Sequence, residues 1–285
     1  MKSKVKSLLT YKKPIKLNTK GYSSNLLKTF IKEEVFELVL KDFHLILSNL
    51  LNNGEQTEST DPNQPVPVLS LGGGGGGDSL DKMRELFSGI NSLELLLDEL
   101  NTQKFCDYIF SNLNLKRHRL VQPNEKFSLR DFIFRRRPCY LNCKLSAYPP
   151  NSGIAFHRDN PRKLVAMLFY LGFSDFKIRN QAGTQFYSDH TSGHSFSKSS
   201  QDHIVSSEYL TLSHDQHPIP NNFVAFETNS FSWHRVKKVE LGNDIYRYNF
   251  QINFQIPTKF TLPLRVVYRL IRLLPIKYPE RILYL

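Results

Sequence analysis

The second half of the sequence consists of short apolar or alternating runs with no helical pattern between them. From about residue 118 onward these runs are YLNCKLSAY, LVAMLFYLGF, GTQFYS, NNFVAFET, SFSWHRVKKVEL and YRYNFQINFQI, and they are separated by Gly, Pro, Asn and Asp. Several short strands with turn residues between them are typical of an antiparallel sandwich or barrel. The 285 residues are enough to bury one sizeable core and to leave additional segments around it.

Helical patterns and a low-complexity segment precede these strands. Apolar residues recur at three- and four-residue intervals in 25–51 and again in 81–113, which predicts amphipathic helices. Between them, residues 56–78 are polar, contain prolines and include six consecutive glycines, so we predict a linker or loop. A phosphate-binding glycine loop is a weaker alternative, because the GK[ST] ending that such a loop needs is absent.

The composition along the chain therefore divides it into four predicted segments. Residues 1–55 form a basic arm and a helix, 56–78 the linker or loop, 79–258 a helical support with the β core, and 259–285 a basic amphipathic helix. In the last segment the arginines at 265, 269 and 272 recur at helical spacing beside an apolar face. A helix that braces the core is favoured there over peripheral membrane contact through 262–285.

The net charge and the cysteine content limit the kinds of partner and the cell compartment that we expect. Lys and Arg number 38 against 26 Asp and Glu, and the resulting net charge of +12 favours an anionic partner. The three cysteines (Cys106, Cys139, Cys143) form neither an even disulfide set nor a zinc-binding spacing. The N-terminus lacks the apolar region of a secretory signal, and no run of about 18 apolar residues occurs. These features predict a cytoplasmic protein.

A charged triplet stands directly before one of the apolar runs. His157, Arg158 and Asp159 follow the turn AYPPNSGIAF and precede LVAMLFYL, and His234 lies much later in the apolar run FSWHRV. A turn ion pair together with an ordinary buried histidine would give the same pattern without a function. The alternative is a metal site, because two imidazoles and one carboxylate on one face of an iron leave three coordination positions free.

The last run, IYRYNFQINF, alternates strictly between polar and apolar residues. One face carries Arg247, Asn249, Gln251 and Asn253, and the other carries Tyr246, Tyr248, Phe250, Ile252 and Phe254. If the apolar face packs against the protein, the polar face lines a wet cavity, and we expect Arg247 at the mouth of that cavity. A guanidinium there can bind a carboxylate through two hydrogen bonds, whereas an exposed strand arginine is the plainer alternative.

The region from about 118 to 256 resembles the Fe(II)/2-oxoglutarate-dependent dioxygenases, particularly their prolyl-hydroxylase-like branch. The resemblance lies in the order of the motifs: Tyr148, PPNSG, His157-Arg158-Asp159, LVAMLFYLG, GTQFY, PNNFVAF, His234 and Arg247. Gly172 stands where the strand often ends in Asn, and Ala182 stands where a second glycine is usual. The interval from His234 to Arg247 is also slightly longer than is common. Lys237 and Lys238 are nearer to His234 in the sequence but belong to its own strand, so Arg247 is favoured.

The resemblance implies both a fold and a chemistry. The fold would be mainly β (α+β), with a double-stranded β-helix or jelly-roll core and flanking N-terminal and C-terminal helices. His157, Asp159 and His234 would bind Fe(II), and 2-oxoglutarate and O2 would be cosubstrates, with ascorbate as a candidate reductant. Arg247, helped by Tyr148, would bind the far carboxylate of 2-oxoglutarate. The implied reaction is hydroxylation of a substrate with release of succinate and CO2.

The identity of the substrate stays open. Halogenating relatives lose the carboxylate ligand, so Asp159 disfavours halogenation. Asn253 stands where the nucleic-acid demethylase branch carries a second arginine, so nucleic acid is not the expected partner. A small molecule or a peptide, with an anionic substrate favoured by the net charge, is expected instead. The alternative to an enzyme is a non-catalytic jelly-roll module that binds a ligand.

One further segment admits two interpretations. Residues 188–217 are rich in serine and contain five histidines, which are His190, His194, His203, His214 and His217. A second metal site would use these imidazoles, but the segment has no cysteine and its composition is that of an insertion. We therefore favour a lid or a substrate loop.

Overall fold

The computed structural model describes residues 7–52, 69–72, 79–122, 125, 137–150, 152–160, 162–175, 183–189, 210–237 and 245–257. Its helices are α1 (Glu33–Asn52), α2 (Ser79–Phe87), α3 (Asn91–Leu100) and α4 (Gln103–Asn112). The first strands are β1 (Ile15–Lys16), β2 (Ser24–Leu27), β3 (Leu69–Gly72), β4 (His118–Leu120), β5 (Arg137–Tyr148) and β6 (Ile154–His157). They are followed by β7 (Lys163–Phe173), β8 (Thr184–Asp189), β9 (Leu210–Gln216), β10 (Phe223–Glu227), β11 (Trp233–Val236) and β12 (Arg247–Gln255). No helix within these ranges is both long enough and apolar enough to span a bilayer.

The strands form two sheets whose order confirms the predicted double-stranded β-helix. The larger sheet runs β1-β2-β10-β7-β12-β5-β3, with β4 also pairing with β5, and the smaller runs β6-β11-β8-β9. Along the chain from β5 to β12, the strands therefore pass back and forth between the two sheets. This exchange is the winding of a jelly roll. The flanking helix predicted in 259–285 lies outside the described residues.

One face of the larger sheet is covered by the four helices. The ring of Phe250 in β12 lies 5.3 Å from that of Phe43 in α1 and 6.0 Å from that of Phe87 in α2, measured between centroids. The predicted apolar face of the last strand is confirmed, because Tyr248, Phe250, Ile252 and Phe254 all belong to this core. The alternate residues of β12 therefore face the smaller sheet.

The space between the two sheets has an apolar half and a polar half. The apolar half contains Ala166, Leu168 and Tyr170 of β7, Phe186 of β8, and Val224 and Phe226 of β10. The polar half contains Asn142 and Ser146 of β5 and Asn249 and Asn253 of β12, all of which are buried. A polar ligand can therefore be held along β5 and β12.

Gly172, at the end of β7, has a backbone conformation that favours glycine. Its φ is +82°, a conformation that glycine adopts without steric cost. A Cβ at this position would also stand 2.8 Å from Cγ of Pro220. The end of β7 therefore requires glycine.

Residues 69–72 correct part of the linker prediction. They form β3, which pairs antiparallel with β5, with Leu69 opposite Ala147 and Gly72 opposite Lys144. The pairing supplies partners to backbone groups that would otherwise be exposed along the edge of β5. The rest of 56–78 lies outside the described residues, and the division into four segments stays a prediction.

The C-terminal end of the histidine-rich segment is also a strand. Residues 210–216 form β9, which pairs with β8 and places His214 opposite Phe186. The interpretation of all of 188–217 as a lid or loop is therefore wrong at both ends, since 188–189 belong to β8 and 210–216 to β9. Residues 190–209, with His190, His194 and His203, lie outside the described residues.

His118 should make the stability of the fold depend on pH. The side chain is buried, stacks on Phe110 with centroids 4.5 Å apart, and donates from Nδ1 to the Lys116 carbonyl at 2.7 Å. Its Nε2 is buried with no hydrogen-bond partner among the described residues. Burial, with a smaller effect from Arg137, lowers the pKa from 6.5 to about 4.

Between pH 6.5 and about 4, the unfolded chain binds a proton at His118 that the folded chain does not. The free energy of unfolding should therefore fall as the pH drops from 6.5 to about 4, and His118 alone can contribute up to about 3 kcal/mol. Urea unfolding at a series of pH values measures this, and His118→Leu should flatten the acid part of the profile. Equal slopes in the two proteins would refute the role of His118.

Candidate metal centre

The three predicted metal ligands lie together in the structure. His157 is the last residue of β6, and antiparallel pairing places His234 of β11 directly opposite it. Their ring centroids are 4.2 Å apart. Asp159 follows just after β6, and one ligand atom from each residue lies within 4.8 Å of the others. Within the described ranges, this is the one group of three such side chains found close enough to share an ion.

His234 has the protonation state and orientation that a metal ligand needs. Its Nδ1 donates to the Ser232 carbonyl at 3.0 Å, so the lone pair is on Nε2, which lies 3.9 Å from Oδ2 of Asp159. Burial lowers the pKa of His234 to about 3, and the charge of His157 also lowers it while Asp159 raises it. The imidazole is therefore neutral near pH 7, with Nε2 directed into the cluster.

Asp159 is ionised, and one of its oxygens is already held. Burial alone would raise its pKa, but the Lys163 ammonium, together with the two histidines in their protonated form, outweighs burial and keeps the pKa of Asp159 well below its usual range. The Lys163 ammonium donates to Oδ1, which leaves Oδ2 facing His234. A ligating carboxylate is commonly oriented by such an outer hydrogen bond.

Arg158, which lies between His157 and Asp159 in the sequence, has a structural role. The Arg158 guanidinium lies over the Trp233 ring, 4.6 Å from its centroid, and donates to the Ser230 carbonyl at 3.0 Å. Arg158 thereby fastens the loop after β6 to the start of β11. This contact supports the two segments that carry the ligands.

Arg247 is inside the protein, which excludes the alternative of an exposed strand arginine. The side chain is only 5% exposed, and its guanidinium lies 4.5 Å from the centroid of the Tyr148 ring. The reason is that β12 is a central strand, with Tyr148 of β5 opposite Arg247 on one side and Phe173 of β7 on the other. Burial lowers the pKa of Arg247. A guanidinium nevertheless remains charged in proteins.

Tyr148 packs against Arg247 and also binds Gln251. Its hydroxyl accepts a hydrogen bond from Nε2 of Gln251 at 3.1 Å. Burial raises the pKa of Tyr148, Arg247 lowers it and Asp159 raises it. Alternation along β5 and β12 places Tyr148 and Arg247 on the face toward the smaller sheet, which carries His157 and His234.

Two residues near this site escaped the sequence interpretation. Tyr170 is buried between the sheets, and Arg247 is among the groups that lower its pKa against the larger effect of burial. Lys144, on β5, is affected by the charges of both Lys163 and Asp159. The alternation of YLNCKLSAY and LVAMLFYLG could have revealed both residues. It places Lys144 on the same strand face as Tyr148, and Tyr170 on the same strand face as Leu168.

Comparisons with known proteins complete the description of the site. No protein-family model matches the sequence, and no curated protein matches it. A prolyl-4-hydroxylase from Pseudomonas putida has 14% identity and a TM-score of 0.41, with 83% of this chain and 94% of that chain covered.

Two other solved structures show a comparable degree of similarity. The non-heme α-ketoglutarate-dependent carbocyclase SnoK from nogalamycin biosynthesis has 8% identity and a TM-score of 0.47, with coverages of 82% and 79%. A 2OG-Fe(II) oxygenase from Burkholderia pseudomallei has 12% identity and a TM-score of 0.44, with coverages of 81% and 85%. Because these identities and scores are low, the function of this chain is inferred from its own residues.

Proposed function

We propose that this protein is an Fe(II)- and 2-oxoglutarate-dependent oxygenase that hydroxylates its substrate and releases succinate and CO2. The observation that carries the proposal is the cluster of His157 and His234, which are opposite each other on adjacent jelly-roll strands, with Asp159 just after β6. Two histidines and one carboxylate with open positions are the ligand set of non-heme Fe(II) oxygenases.

The donor set fits a divalent iron ion. His157, Asp159 and His234 would hold it, and bound iron would supply the activation of O2. His234 offers a neutral imidazole whose tautomer is fixed by Ser232, and Asp159 offers a single anionic oxygen because Lys163 holds the other. The protein thus fixes the protonation and the direction of these donors before any ion arrives.

Arg247 and Tyr148 would bind the cosubstrate. The far carboxylate of 2-oxoglutarate would pair with the buried Arg247 guanidinium, where a charge-assisted bidentate contact is strong because water is excluded. Tyr148 lies opposite Arg247 on the strand face toward the smaller sheet, which supports a dicarboxylate that extends between the arginine and the metal cluster. O2 is the second cosubstrate, and ascorbate is the reductant to supply in an assay.

Hydroxylation is favoured over halogenation because Asp159 occupies the position that a halide would need. The substrate would be a small molecule or a peptide that reaches the metal centre. A jelly-roll module that binds a ligand without catalysis is the rival, and metal-dependent turnover separates the two.

Turnover of 2-oxoglutarate tests the proposal. Purified protein supplied with Fe(II), ascorbate and O2 should convert 2-oxoglutarate to succinate, slowly even without the substrate, as measured by succinate release. Zn(II) should occupy the same ligands and support no turnover, because it has no redox chemistry. Failure to bind iron and to form succinate would favour the binding module.

A further inference from the structure

Lys144 is a cation of the barrel interior that neither iron nor 2-oxoglutarate requires. It lies on β5 opposite Gln251 of β12. Its chain neighbours Cys143 and Leu145 belong to the core under the helices, so alternation places Lys144 on the face toward the smaller sheet. Asn142 and Ser146 share that face and are buried.

The Lys144 side chain is partly buried on the strand face toward the smaller sheet, which carries His157 and His234. Burial and the charge of Lys163 lower its pKa to about 8, while Asp159 raises it. The group is therefore mostly protonated at neutral pH. Among the residues that the structure describes, no acidic side chain forms an ion pair with Lys144, since Asp159 pairs with Lys163.

Binding of iron and 2-oxoglutarate would not place an anion beside Lys144. Asp159 would be shared between Lys163 and a divalent ion, and one carboxylate of 2-oxoglutarate would be taken by Arg247 and the other by the metal. A partly buried ammonium without a counter-charge is unfavourable unless an anion approaches it. The remaining molecule that enters this site is the substrate.

We propose that Lys144 binds an oxyanion of the substrate, a carboxylate or a phosphate, and so holds the substrate in the polar half of the space between the two sheets. This inference rests on the proposed function, because it names the substrate class of the same site. The chain's net charge of +12 would favour the approach of such a molecule.

Binding of two small anions tests the role of Lys144. Inorganic phosphate and acetate are titrated calorimetrically into protein loaded with Fe(II) and 2-oxoglutarate without O2, and into metal-free protein. We expect one bound anion, weakened at least about tenfold by Lys144→Met, because a charged hydrogen bond is lost. Lys144→Arg should stay within about threefold of the unmodified protein, since it keeps the charge. The tighter of the two anions identifies the group as a phosphate or a carboxylate.

Lys41→Met is the matched control, because Lys41 is an exposed lysine of α1. Equal anion affinity in Lys144→Met and the unmodified protein would overturn the inference, as would equal losses in Lys144→Met and Lys41→Met. If Lys144→Met weakens 2-oxoglutarate as strongly as Arg247→Ala does, Lys144 binds the cosubstrate and the assignment to the substrate is overturned. Anion binding at Lys144 in protein that takes up neither iron nor 2-oxoglutarate would support the anion site while refuting the oxygenase.

Discussion

Alanine at His157, at Asp159 or at His234 is expected to abolish succinate formation. Each variant removes one of three metal ligands. Loss of an outer partner of a ligand typically costs about 10- to 100-fold, so loss of a ligand should lower turnover by more than about 100-fold. The amount of iron that the protein retains after desalting should fall together with turnover. Thermal unfolding of each variant checks that the fold survives.

His214→Ala is the matched control for these three substitutions. His214 is a histidine of the same small sheet, in β9, and its Nε2 lies 3.2 Å from Oε1 of Gln216 rather than in the cluster. Iron content and turnover should be unchanged in this variant. Unchanged turnover in all three ligand variants, or loss of iron in His214→Ala alone, would contradict the assignment of the metal site.

Arg247→Ala is expected to raise the apparent constant for 2-oxoglutarate by about two orders of magnitude, or about 2.7 kcal/mol. The buried guanidinium can donate two charge-assisted hydrogen bonds to the far carboxylate, and alanine removes both. Iron affinity should barely change, because Arg247 is not a ligand. Arg247→Lys should recover only part of the loss, because an ammonium keeps the charge but lacks the planar fork.

Lys237→Ala controls for the general loss of positive charge. Lys237 directly follows β11 and is exposed. The apparent constants are measured from succinate release at varied 2-oxoglutarate. A strong effect of Lys237→Ala together with a weak effect of Arg247→Ala would show that the residue that binds the cosubstrate carboxylate lies just after His234 instead of on β12.

The β-rich fold was predictable from local patterns, and the ligand cluster from the order of motifs that carries the resemblance to a known family. Alternation along YRYNFQINF identifies which residues of β12 face the helices, and the order of the motifs brings His157, Asp159 and His234 into one prediction. Antiparallel strands place residues opposite each other in a fixed register, so His157 and His234 meet once β6 and β11 pair.

The features that escaped prediction depend on contacts distant in the sequence. Arg247 is buried because β5 and β7 flank it, and nothing near residue 247 reveals which strands those are. β3 is recognisable only through its pairing with β5, and the polar residues of β9 obscured a strand at the edge of the smaller sheet. The effect of Asp159 on the pKa of Lys144 likewise depends on the fold, since the chain between them turns from the larger sheet to the smaller one.

The position of a bound metal tests the central claim most directly. A crystal structure of the protein loaded with Fe(II) without O2, with anomalous scattering recorded on both sides of the iron absorption edge, locates the ion. We expect one strong peak bound by Nε2 of His234, by a carboxylate oxygen of Asp159 and by the imidazole of His157. An iron peak among His190, His194 and His203, with none between His157, Asp159 and His234, would contradict it.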